Sequence, residues 1–325
     1  MQISVVIPVY NAEKYVTQAV ESALAQPETA EVLVIEDGSP DNSLEICQAL
    51  AEKYEKVKLL RHPNGENRGA GASRNLGMLH AACDYVAFLD ADDYFLPGRF
   101  NIAKQVFVDN PGCEGVYEAI GMHVEDEDAW LRWKKSGKPL EKLKTIRENV
   151  NPEDLGKVLV IGGKGHFSLN GFTIKKKILN KTGFMEETLK LHQDTNFIIR
   201  AALVSKLLPG RLDKPVTMWR VHQHNRVSSP RSKQQIKRER MNFLMKTYTW
   251  CRDQSHEEIK NLLTNMMFKD VISIHDEFLD LSLIRRFWKR FTQLIKWVFT
   301  NPSMILEPQL WKEFSRFVIS RGRVI

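Results

Sequence analysis

The sequence lacks the cysteine pairs and the long apolar runs that mark several protein classes. Its four cysteines are far apart and form no CxxC pair: Cys47, Cys83, Cys113 and Cys251. Neither a disulfide framework nor a thiolate zinc site is therefore expected. No uninterrupted apolar run reaches about eighteen residues, the length that spans a bilayer, so we expect no transmembrane helix.

The start of the chain also lacks the signals of secretion. The apolar run of residues 1–10 is broken by Pro8, and neither a basic segment nor a small-residue cleavage site flanks it. A secretory signal peptide needs both features. The sequence therefore predicts a cytoplasmic protein.

Two nucleotide-binding fingerprints are missing as well. Gly69–Arg74 reads GxGxxR and follows the third predicted strand, whereas the GxGxxG of dinucleotide-binding proteins follows the first. A phosphate-loop GxxxxGKS or GxxxxGKT is absent. These absences argue against a dinucleotide-dependent oxidoreductase and a phosphate-loop ATPase.

The positive charge of the chain is concentrated in its last third. Residues 221–325 contain 19 Lys and Arg against 10 Asp and Glu, whereas residues 1–220 contain 28 against 30. A basic tail can meet nucleic acid, anionic lipid or an acidic substrate, and charge alone does not choose among them. At 325 residues, we expect one catalytic domain with an appended C-terminal part.

The first ninety residues, approximately, alternate short apolar strands with segments of helical period. The predicted strands are Ile3–Val9, Glu31–Ile35, Val57–Leu60 and Tyr85–Leu89. Asn11 is predicted to cap the first helix. This alternation is typical of βαβ units, and it predicts an α/β fold with a mainly parallel sheet flanked by helices.

Polar residues follow each predicted strand. They are Tyr10–Asn11, Asp37, the loop Asn67–Asn75, and Asp90–Asp93. Ligands of open α/β sheets bind beyond the carboxyl ends of the strands, where loops and helix N-termini meet. The sequence therefore predicts a ligand site at this edge.

The last of these clusters has the chemistry of a cation site. Asp90 and Asp92 follow an apolar strand, and two carboxylates at this spacing suit one hard cation such as Mg²⁺ or Mn²⁺. Such an ion can neutralise the charge that builds up on a departing diphosphate. The alternative is that both aspartates are ordinary turn or capping residues.

Four motifs occur in order along these residues. They are Val6–Asn11, Glu36–Ser39, Asn67–Gly77 and Leu89–Asp93. Together they resemble glycosyltransferase family 2, the inverting enzymes with the GT-A fold. The resemblance continues more loosely from Gly171 to Ser228 and does not cover the last hundred residues, approximately, of the tail.

The resemblance implies a division of the chain. Residues 1–228 would form the GT-A catalytic domain, with a nucleotide-binding half at 1–95 and an acceptor-side half at 96–228. Residues 229–325 would form a mainly helical C-terminal extension.

The resemblance also implies which residues bind the donor. Pro8, Tyr10 and Glu13 would lie beside the base and ribose, and Asp37 would accept a hydrogen bond from the base. Arg68 and Arg74 would face phosphate or base oxygens, which suit guanidinium donors. Asp90, Ala91 and Asp92 would lie along the diphosphate. A plain turn at Asp37 and an exposed helix cation at Arg74 are the alternatives.

The segment Trp219–Ser228 is similar to a family segment that closes over the diphosphate. It implies His222 as a third ligand, with Asp92 and Asp90, of a Mn²⁺ or Mg²⁺ ion. Arg220 or Arg226 would then meet phosphate oxygens. A lone histidine is also commonly a surface or packed residue, so that alternative stays open.

A direct displacement needs a base that takes the proton of the acceptor hydroxyl. Asp194 is our candidate, because Leu191–Phe197 resembles the acidic pair of the family followed by an apolar helix. The chain departs from that pattern at Gln193, where a glutamate is typical. A helix cap is the alternative for Asp194, and Glu186, Glu187 and Asp93 are rival bases.

These features predict transfer of a single sugar from a nucleotide-diphosphate sugar, a UDP-sugar by resemblance, to a saccharide or lipid-linked hydroxyl acceptor. A role in cell-surface polysaccharide or glycolipid synthesis follows. A processive synthase would carry QxxRW and membrane spans, and neither is present. The alternative is a non-catalytic protein that binds sugar nucleotides.

The tail contains a basic amphipathic segment, Leu281–Phe299, without any acidic residue. Its aromatic residues repeat at helical spacing opposite lysines and arginines. Such a helix is typical of peripheral contact with the inner face of a membrane, and packing on the catalytic domain or a partner subunit is the alternative. Because the aromatic residues lie on the apolar face, we expect no nucleic-acid partner.

Overall fold

The computed structural model describes residues 1–135, 143–222, 225, 232–272 and 283–319. It divides into two compact units, Met1–Pro230 and Arg231–Ile325. The first is an α/β unit and the second is helical. That these units are the catalytic domain and its extension stays a prediction.

The α/β unit is built on two sheets. Its strands are β1 Ile3–Val9, β2 Thr29–Glu36, β3 Val57–Arg61, β4 Tyr85–Phe88, β5 Tyr94–Phe95, β6 Gly115–Tyr117, β7 Ile120–Val124, β8 Leu143–Lys144, β9 Phe172–Lys175, β10 Leu207–Pro209 and β11 Thr217–Val221. Its helices are α1 Val16–Leu24, α2 Ser43–Lys53, α3 Gly69–His80, α4 Asn101–Asp109, α5 Glu127–Lys135, α6 Leu155–Ile161, α7 Leu179–Thr182 and α8 Gln193–Val204.

The larger sheet has seven strands in the order β10-β6-β9-β4-β1-β2-β3. Four pairs of neighbouring strands are parallel: β1 with β2, β1 with β4, β2 with β3, and β10 with β6. β9 runs antiparallel to both of its neighbours, β4 and β6. Six strands therefore point the same way. The predicted α/β fold with a mainly parallel sheet is confirmed.

Apolar side chains cover both faces of this sheet. Along β1, Val6 packs in one core cluster, and its neighbours Val5 and Ile7 pack in another on the opposite face. Successive residues of a strand point to opposite faces, so a strand covered by helices on both sides must be apolar throughout. This is why the seven residues of β1 are all buried.

The predicted strands agree with the observed ones within about two residues, which is the usual uncertainty of an element boundary. The predicted cap of the first helix is wrong. α1 begins at Val16, and Asn11 lies outside it with a left-handed φ of 54°. The backbone N–H of Asn11 donates to Ser39 Oγ at 3.1 Å, so this residue joins the loops after β1 and β2.

The smaller sheet has four strands in the order β5-β11-β7-β8. β11 pairs antiparallel with β5 and parallel with β7. Because β5 begins two residues after Asp92, this pairing brings the end of β11 beside the exit of β4.

The second unit contains four α-helices in its described residues. They are α9 Lys233–Asp253, α10 Glu257–Ile272, α11 Leu283–Thr300 and α12 Pro308–Ile319. Ser232 and Gln235 form a reciprocal capping box at the start of α9, which satisfies two otherwise unpaired N–H groups. None of the helices in the described parts of the chain combines the length and apolarity that crossing a bilayer requires.

Candidate active site

The loop after β1 carries three of the predicted donor residues. Pro8 is buried in β1, beside Ile35 of β2, and Tyr10 is exposed just past the strand. Glu13 Oε2 accepts from the backbone N–H and from Nδ2 of Asn42, at 3.1 and 2.9 Å. The exposed ring of Tyr10 is thus available to a ligand, and the contact of all three with a donor stays a prediction.

Asp37 lies at the end of β2 and caps α3 from a distant part of the chain. Its Oδ1 and Oδ2 accept from the backbone N–H groups of Arg68 and Gly69, both at 2.8 Å. The positive end of a helix dipole favours a carboxylate there. The next residue must be glycine, because Gly38 has a φ of 69° and a Cβ would lie 2.6 Å from the carbonyl oxygen of Gly65. Hydrogen bonding of Asp37 to a base stays a prediction.

Asp92 lies beside an imidazole at the exit of β4. Its Oδ2 is 3.0 Å from His222 Nε2, and Asn225 Nδ2 donates to the same oxygen at 3.4 Å. His222 follows β11 directly and its ring lies 4.8 Å from that of Tyr15. The structure therefore brings together two of the three predicted metal ligands.

Asp90 has different partners. Its carboxylate accepts from Arg74 of α3 and from Asn170 Nδ2 at 3.4 Å. Its backbone N–H donates to Asn170 Oδ1 at 3.1 Å. Ala91 is buried between the two acidic residues. In this arrangement the charge of Asp90 is compensated by a guanidinium.

The donor set of this cluster suits a hard cation. The side chains of Asp90 and Asp92 are both partly exposed, so their oxygens can reach a ligand in the cleft. Carboxylate oxygens with one imidazole are ligands that Mn²⁺ accepts. Among the described residues, however, no three acidic, histidine or cysteine side chains already form a metal-holding group. The assignment of Asp92, Asp90 and His222 as ligands stays a prediction.

Asp93 is fully buried and serves the fold. Its carboxylate accepts from the backbone N–H of Arg220 at 2.8 Å and from Asn170. Burial raises the pKa of Asp93 well above its ordinary value, and the negative charges of Asp92 and Asp90 raise it further. Since it is enclosed and hydrogen-bonded on both oxygens, it is a poor candidate for the base.

Arg220 joins the two sheets. Its Nε donates to the backbone carbonyl of Asp92 at 3.0 Å, and its guanidinium lies 5.0 Å from the ring centre of Tyr15 and 5.4 Å from that of Tyr94. Stacking between two aromatic rings holds a guanidinium in one orientation. Its contact with phosphate stays a prediction, and Arg226 lies outside the described residues.

Asp194 lies in the first turn of α8 and is partly exposed. Burial would raise the pKa of Asp194, but the positive charges of Arg74 and Lys144 and a hydrogen bond from the N–H of Thr195 outweigh it and lower this pKa. The carboxylate is therefore ionised at neutral pH. The N-cap of α8 is His192, not Asp194.

Gln193, which stands where the family pattern has a glutamate, has a packing role. Its side chain is buried against α3, where a Cβ on Gly71 would lie 2.9 Å from Gln193 Cδ. Its Nε2 donates to the carbonyl of Leu189. Gln193 thus positions the start of α8 without adding a charge next to Asp194.

Both glutamate rivals of Asp194 are engaged elsewhere. Glu187 pairs with Arg68 at 3.2 Å and accepts from Asn75 Nδ2 at 3.0 Å. Glu186 Oε1 accepts from the hydroxyl of Thr188 at 2.6 Å. Their loop is held by Asn75, whose Oδ1 accepts from the N–H of Met185 at 2.8 Å.

Sequence reasoning missed three residues of this site. Asn170 bridges Asp90 and Asp93, Asn75 holds the loop before α8, and Lys144 adds positive charge near Asp194. Asn75 stands inside a quoted motif, so the motif could have indicated it. Asn170 and Lys144 lie in short segments without a pattern of their own.

Comparisons with known proteins identify the family of the chain. The sequence pattern described as Glycosyl transferase family 2 matches residues 4–183, more than half of the chain. An uncharacterized glycosyltransferase of Haemophilus influenzae is 44% identical over 93 residues, 28% of this chain and 36% of that protein. The succinoglycan biosynthesis protein ExoU of Rhizobium meliloti is 40% identical over 97 residues, 30% of this chain and 28% of that protein. The chain thus spans about a third of the length of these curated relatives.

A solved structure extends the comparison to most of the chain. The crystal structure of S. aureus TarS 1–349 in complex with UDP-GlcNAc has a TM-score of 0.61 and 20% identity, and the match covers 90% of this chain and 81% of that one. The sheet with its reversed strand and this likeness define a GT-A fold.

This chain belongs to glycosyl transferase family 2. The family and fold class predicted from the sequence are confirmed, and the family is one of transferases.

Proposed function

We propose that this chain transfers a single sugar from a nucleotide-diphosphate sugar to a hydroxyl acceptor by direct displacement, with inversion at the anomeric carbon. Asp194 is the base in this proposal. Asp90, Asp92 and His222 are the residues that would hold a Mn²⁺ or Mg²⁺ ion.

One observation carries the proposal. Arg74 donates to Asp90 at the exit of β4, and its charge also lowers the pKa of Asp194 at the start of α8. The two acids named for opposite ends of the reaction therefore share one guanidinium. Inversion requires the base and the leaving group on opposite sides of one sugar, and in the proposal Asp194 and Asp90 take these two sides.

The residues divide the chemistry between them. Asp194, ionised at neutral pH, accepts the proton of the acceptor hydroxyl as its oxygen bonds to the anomeric carbon. Arg74 is buried and donates to the carboxylate of Asp90, so it holds that carboxylate at the exit of β4. A bound divalent ion would supply charge neutralisation on the departing diphosphate.

We propose a UDP-sugar as the donor. TarS, which has the same fold, was crystallised with UDP-GlcNAc. In the proposal, Asp37 and the exposed ring of Tyr10 face the base and ribose. The carboxylate of Asp37 already accepts two backbone N–H groups, and its remaining lone pairs can accept the N–H of uracil.

For the acceptor we propose a saccharide or lipid-linked hydroxyl used in cell-surface polysaccharide or glycolipid synthesis. The succinoglycan biosynthesis protein ExoU supports this class of product. Peripheral contact of residues 281–299 with the inner face of the cell membrane is part of the proposal, since a lipid-linked acceptor would lie there. Residues 281–282 and the side chains of 283–287 lie outside the described part of the chain.

The second candidate is a protein that binds sugar nucleotides without catalysis. It would need no ionised acid at the acceptor side. The environment of Asp194 favours the enzyme, because Arg74 and Lys144 lower its pKa despite burial.

We expect UDP to stabilise the protein only when Mn²⁺ or Mg²⁺ is present. A ligand at a hundred times its Kd adds about 2.7 kcal/mol to the free energy of unfolding, which corresponds to a rise of about 5 to 10 °C in Tm. A thermal-shift series with UDP, dTDP and GDP, each with and without metal, measures this. An equal shift by UDP without metal would contradict the metal site.

Replacing His222 with alanine is expected to weaken the apparent affinity for Mn²⁺ in the presence of UDP by about tenfold or more, since even indirect ligand partners contribute about tenfold. Titration of Mn²⁺ against the thermal shift measures it. His80→Ala is the matched control, because His80 is exposed on α3 and contacts the carbonyl of Leu76. Equal Mn²⁺ affinity in both variants would remove His222 from the ligand set.

A further inference from the structure

Asn170 is a buried amide beside the exit of β4. It lies in the short 3-10 helix Leu169–Gly171, directly before β9, the strand that runs antiparallel to β4. Only 1% of Asn170 is exposed. The oxygen and the nitrogen of a buried amide both need hydrogen-bond partners. The partners of Asn170 therefore show which groups it holds in place.

Asp90 is held by this amide at both its backbone and its side chain. Asn170 Oδ1 accepts from the backbone N–H of Asp90 at 3.1 Å, and Asn170 Nδ2 donates to Asp90 Oδ2 at 3.4 Å. Arg74 donates to the other carboxylate oxygen, Oδ1. Each oxygen of Asp90 thus has its own donor, so the position of the residue and the direction of its side chain are both fixed.

The other contacts of Asn170 lead to β11. Its Nδ2 also donates to Asp93 Oδ2, and Asp93 Oδ1 accepts from the backbone N–H of Arg220 at 2.8 Å. The hydroxyl of Thr217 donates to the backbone carbonyl of Asn170 at 2.8 Å. Asn170 is therefore attached to the strand that His222 directly follows, once through Thr217 and once through Asp93.

These contacts join the two elements that carry the proposed metal ligands. Asp90 and Asp92 follow β4, and His222 follows β11. The elements meet at Asp92, whose Oδ2 is 3.0 Å from His222 Nε2. Asn170 provides the corresponding connection for Asp90.

A neutral side chain is suited to this position. Three of the four residues Asp90–Asp93 are acidic. A further positive side chain here would oppose a divalent cation, and a further carboxylate would repel the acids that are already present. An amide donates to carboxylates and accepts from a backbone N–H without carrying charge. Asn170 thus holds Asp90 while leaving the negative charge that attracts a cation.

We propose that Asn170 is a positioning residue for the divalent ion. It places the carboxylate of Asp90 relative to β11, so that this carboxylate faces the same ion as the other two proposed ligands. The inference rests on the metal site of the proposed function and goes beyond it, because Asn170 touches neither the ion nor the donor and acts through Asp90.

The variant Asn170→Ala tests this role through the affinity for Mn²⁺. The readout is the Mn²⁺ concentration that gives half of the thermal shift of the full-length protein at saturating UDP. We expect Asn170→Ala to raise this concentration by about tenfold to a hundredfold, the usual effect of removing a group that orients a metal ligand. A wild-type value in Asn170→Ala would overturn the proposal.

Gln26→Ala is the matched control, because it removes another buried amide whose two ends are hydrogen-bonded. Gln26 Oε1 accepts from the N–H of Arg99, and its Nε2 donates to the carbonyl of Ser22, both at 3.0 Å. It lies beside the start of β2, at the end of the strand opposite to the candidate site. We expect a lower Tm without ligand in both variants, and a changed Mn²⁺ concentration in Asn170→Ala alone. An equal change in both variants would overturn the proposal.

Asn170→Ser keeps the proposal testable where the alanine variant does not fold, because serine leaves a smaller cavity and one hydrogen-bonding group. We expect it to raise the Mn²⁺ concentration as well, by a smaller factor. If Asn170→Ala does not fold, a wild-type value in Asn170→Ser would overturn the proposal.

A double variant shows whether Asn170 acts through Asp90. Asp90→Asn removes the charge of the ligand and keeps the backbone N–H that Asn170 accepts. Adding Asn170→Ala to it should change the Mn²⁺ concentration by less than about threefold, because displacing a group that no longer binds the ion has no further effect. A further rise of about tenfold would mean that the two residues act independently, and it would overturn the proposal.

The wild type separates this inference from the proposed function. If UDP stabilises the wild type equally with and without Mn²⁺, the proposed metal site fails and the role of Asn170 fails with it. If the wild type needs Mn²⁺ and Asn170→Ala needs no more of it, the role of Asn170 alone fails.

Discussion

Replacing Asp194 with asparagine is expected to lower kcat for sugar transfer by about a thousandfold, in the range that a general base contributes. Asparagine keeps the size of the side chain and removes the charge that accepts the proton. Donor binding should stay unchanged, because Asp194 lies on the acceptor side in the proposal. Single-turnover transfer together with UDP thermal shifts measures both quantities.

The matched control is Glu187→Gln. Glu187 is an acid near the same helix, but it pairs with Arg68 and Asn75. We expect its kcat to change by less than about tenfold, since a partly exposed ion pair contributes about 1 kcal/mol or less. A large loss of kcat in this variant, with activity kept in Asp194→Asn, would transfer the role of base to Glu187.

The pH dependence of kcat/KM is a second test of Asp194 as the base. A base works in its ionised form, so activity is lost as the pH falls through its pKa. Because the pKa of Asp194 is lowered, the acidic limb of kcat/KM should lie below the ordinary aspartate value of about 3.9. The Arg74→Met variant lacks the positive charge that lowers the pKa of Asp194 most. Its acidic limb of kcat/KM should therefore lie at higher pH than that of the wild type.

The sheet edge at which the proposed donor residues lie could be predicted because its sequence signals are local. The first four strands of the larger sheet are short apolar runs, and each stops at a polar residue such as Asp37 or Asp90. Parallel strands align their carboxyl ends, so residues far apart in sequence could be assigned to one edge. The structure places them there.

The acceptor half could not be predicted in the same way, because its contacts join short elements. β8 has only two residues, yet it carries Lys144, whose positive charge acts on Asp194. Asn170 hydrogen-bonds two aspartates at a distance of about eighty residues along the chain. The hydrophobic periodicity of a segment cannot predict a hydrogen-bond partner that is so distant in sequence.

Asp37 illustrates a residue whose sequence context predicted one contact while the structure reveals another. The turn signal at Gly38 is real, as its positive φ confirms. The carboxylate beside it satisfies the first N–H groups of α3, which helix formation leaves unpaired.

The second large effect concerns stability. Arg99→Met is expected to lower the free energy of unfolding by about 3 to 5 kcal/mol, the usual cost of removing one partner of a buried ion pair. Arg99 Nη1 donates to Glu118 Oε2 at 2.6 Å, and both side chains are completely buried. Arg99 also lies over Phe95 and Phe100, with ring centres 5.3 and 4.9 Å from its guanidinium carbon. Urea unfolding measures the loss.

The double variant Arg99→Met with Glu118→Leu is the informative control. Burial lowers the pKa of Arg99 and raises the pKa of Glu118, even though each charge opposes the shift of the other. Desolvation therefore outweighs attraction on both partners, and removing both charges should restore part of the lost stability. A double variant that loses the sum of the two single losses would contradict this account.

The sign of the pH dependence follows from the same pair. In Arg99→Met, Glu118 loses the charge that lowered its pKa, so its folded pKa rises further above the unfolded value. The folded state then binds more protons than the unfolded state between those two values, and stability falls as the pH rises through this window. We therefore expect Arg99→Met to be closest to the wild type at or below the pKa of the unfolded carboxyl, about 4.3, and to fall further below it in stability as the pH rises above that value. A difference that does not change with pH would mean that the loss comes from packing around Phe95 and Phe100 instead of from an unpaired carboxylate.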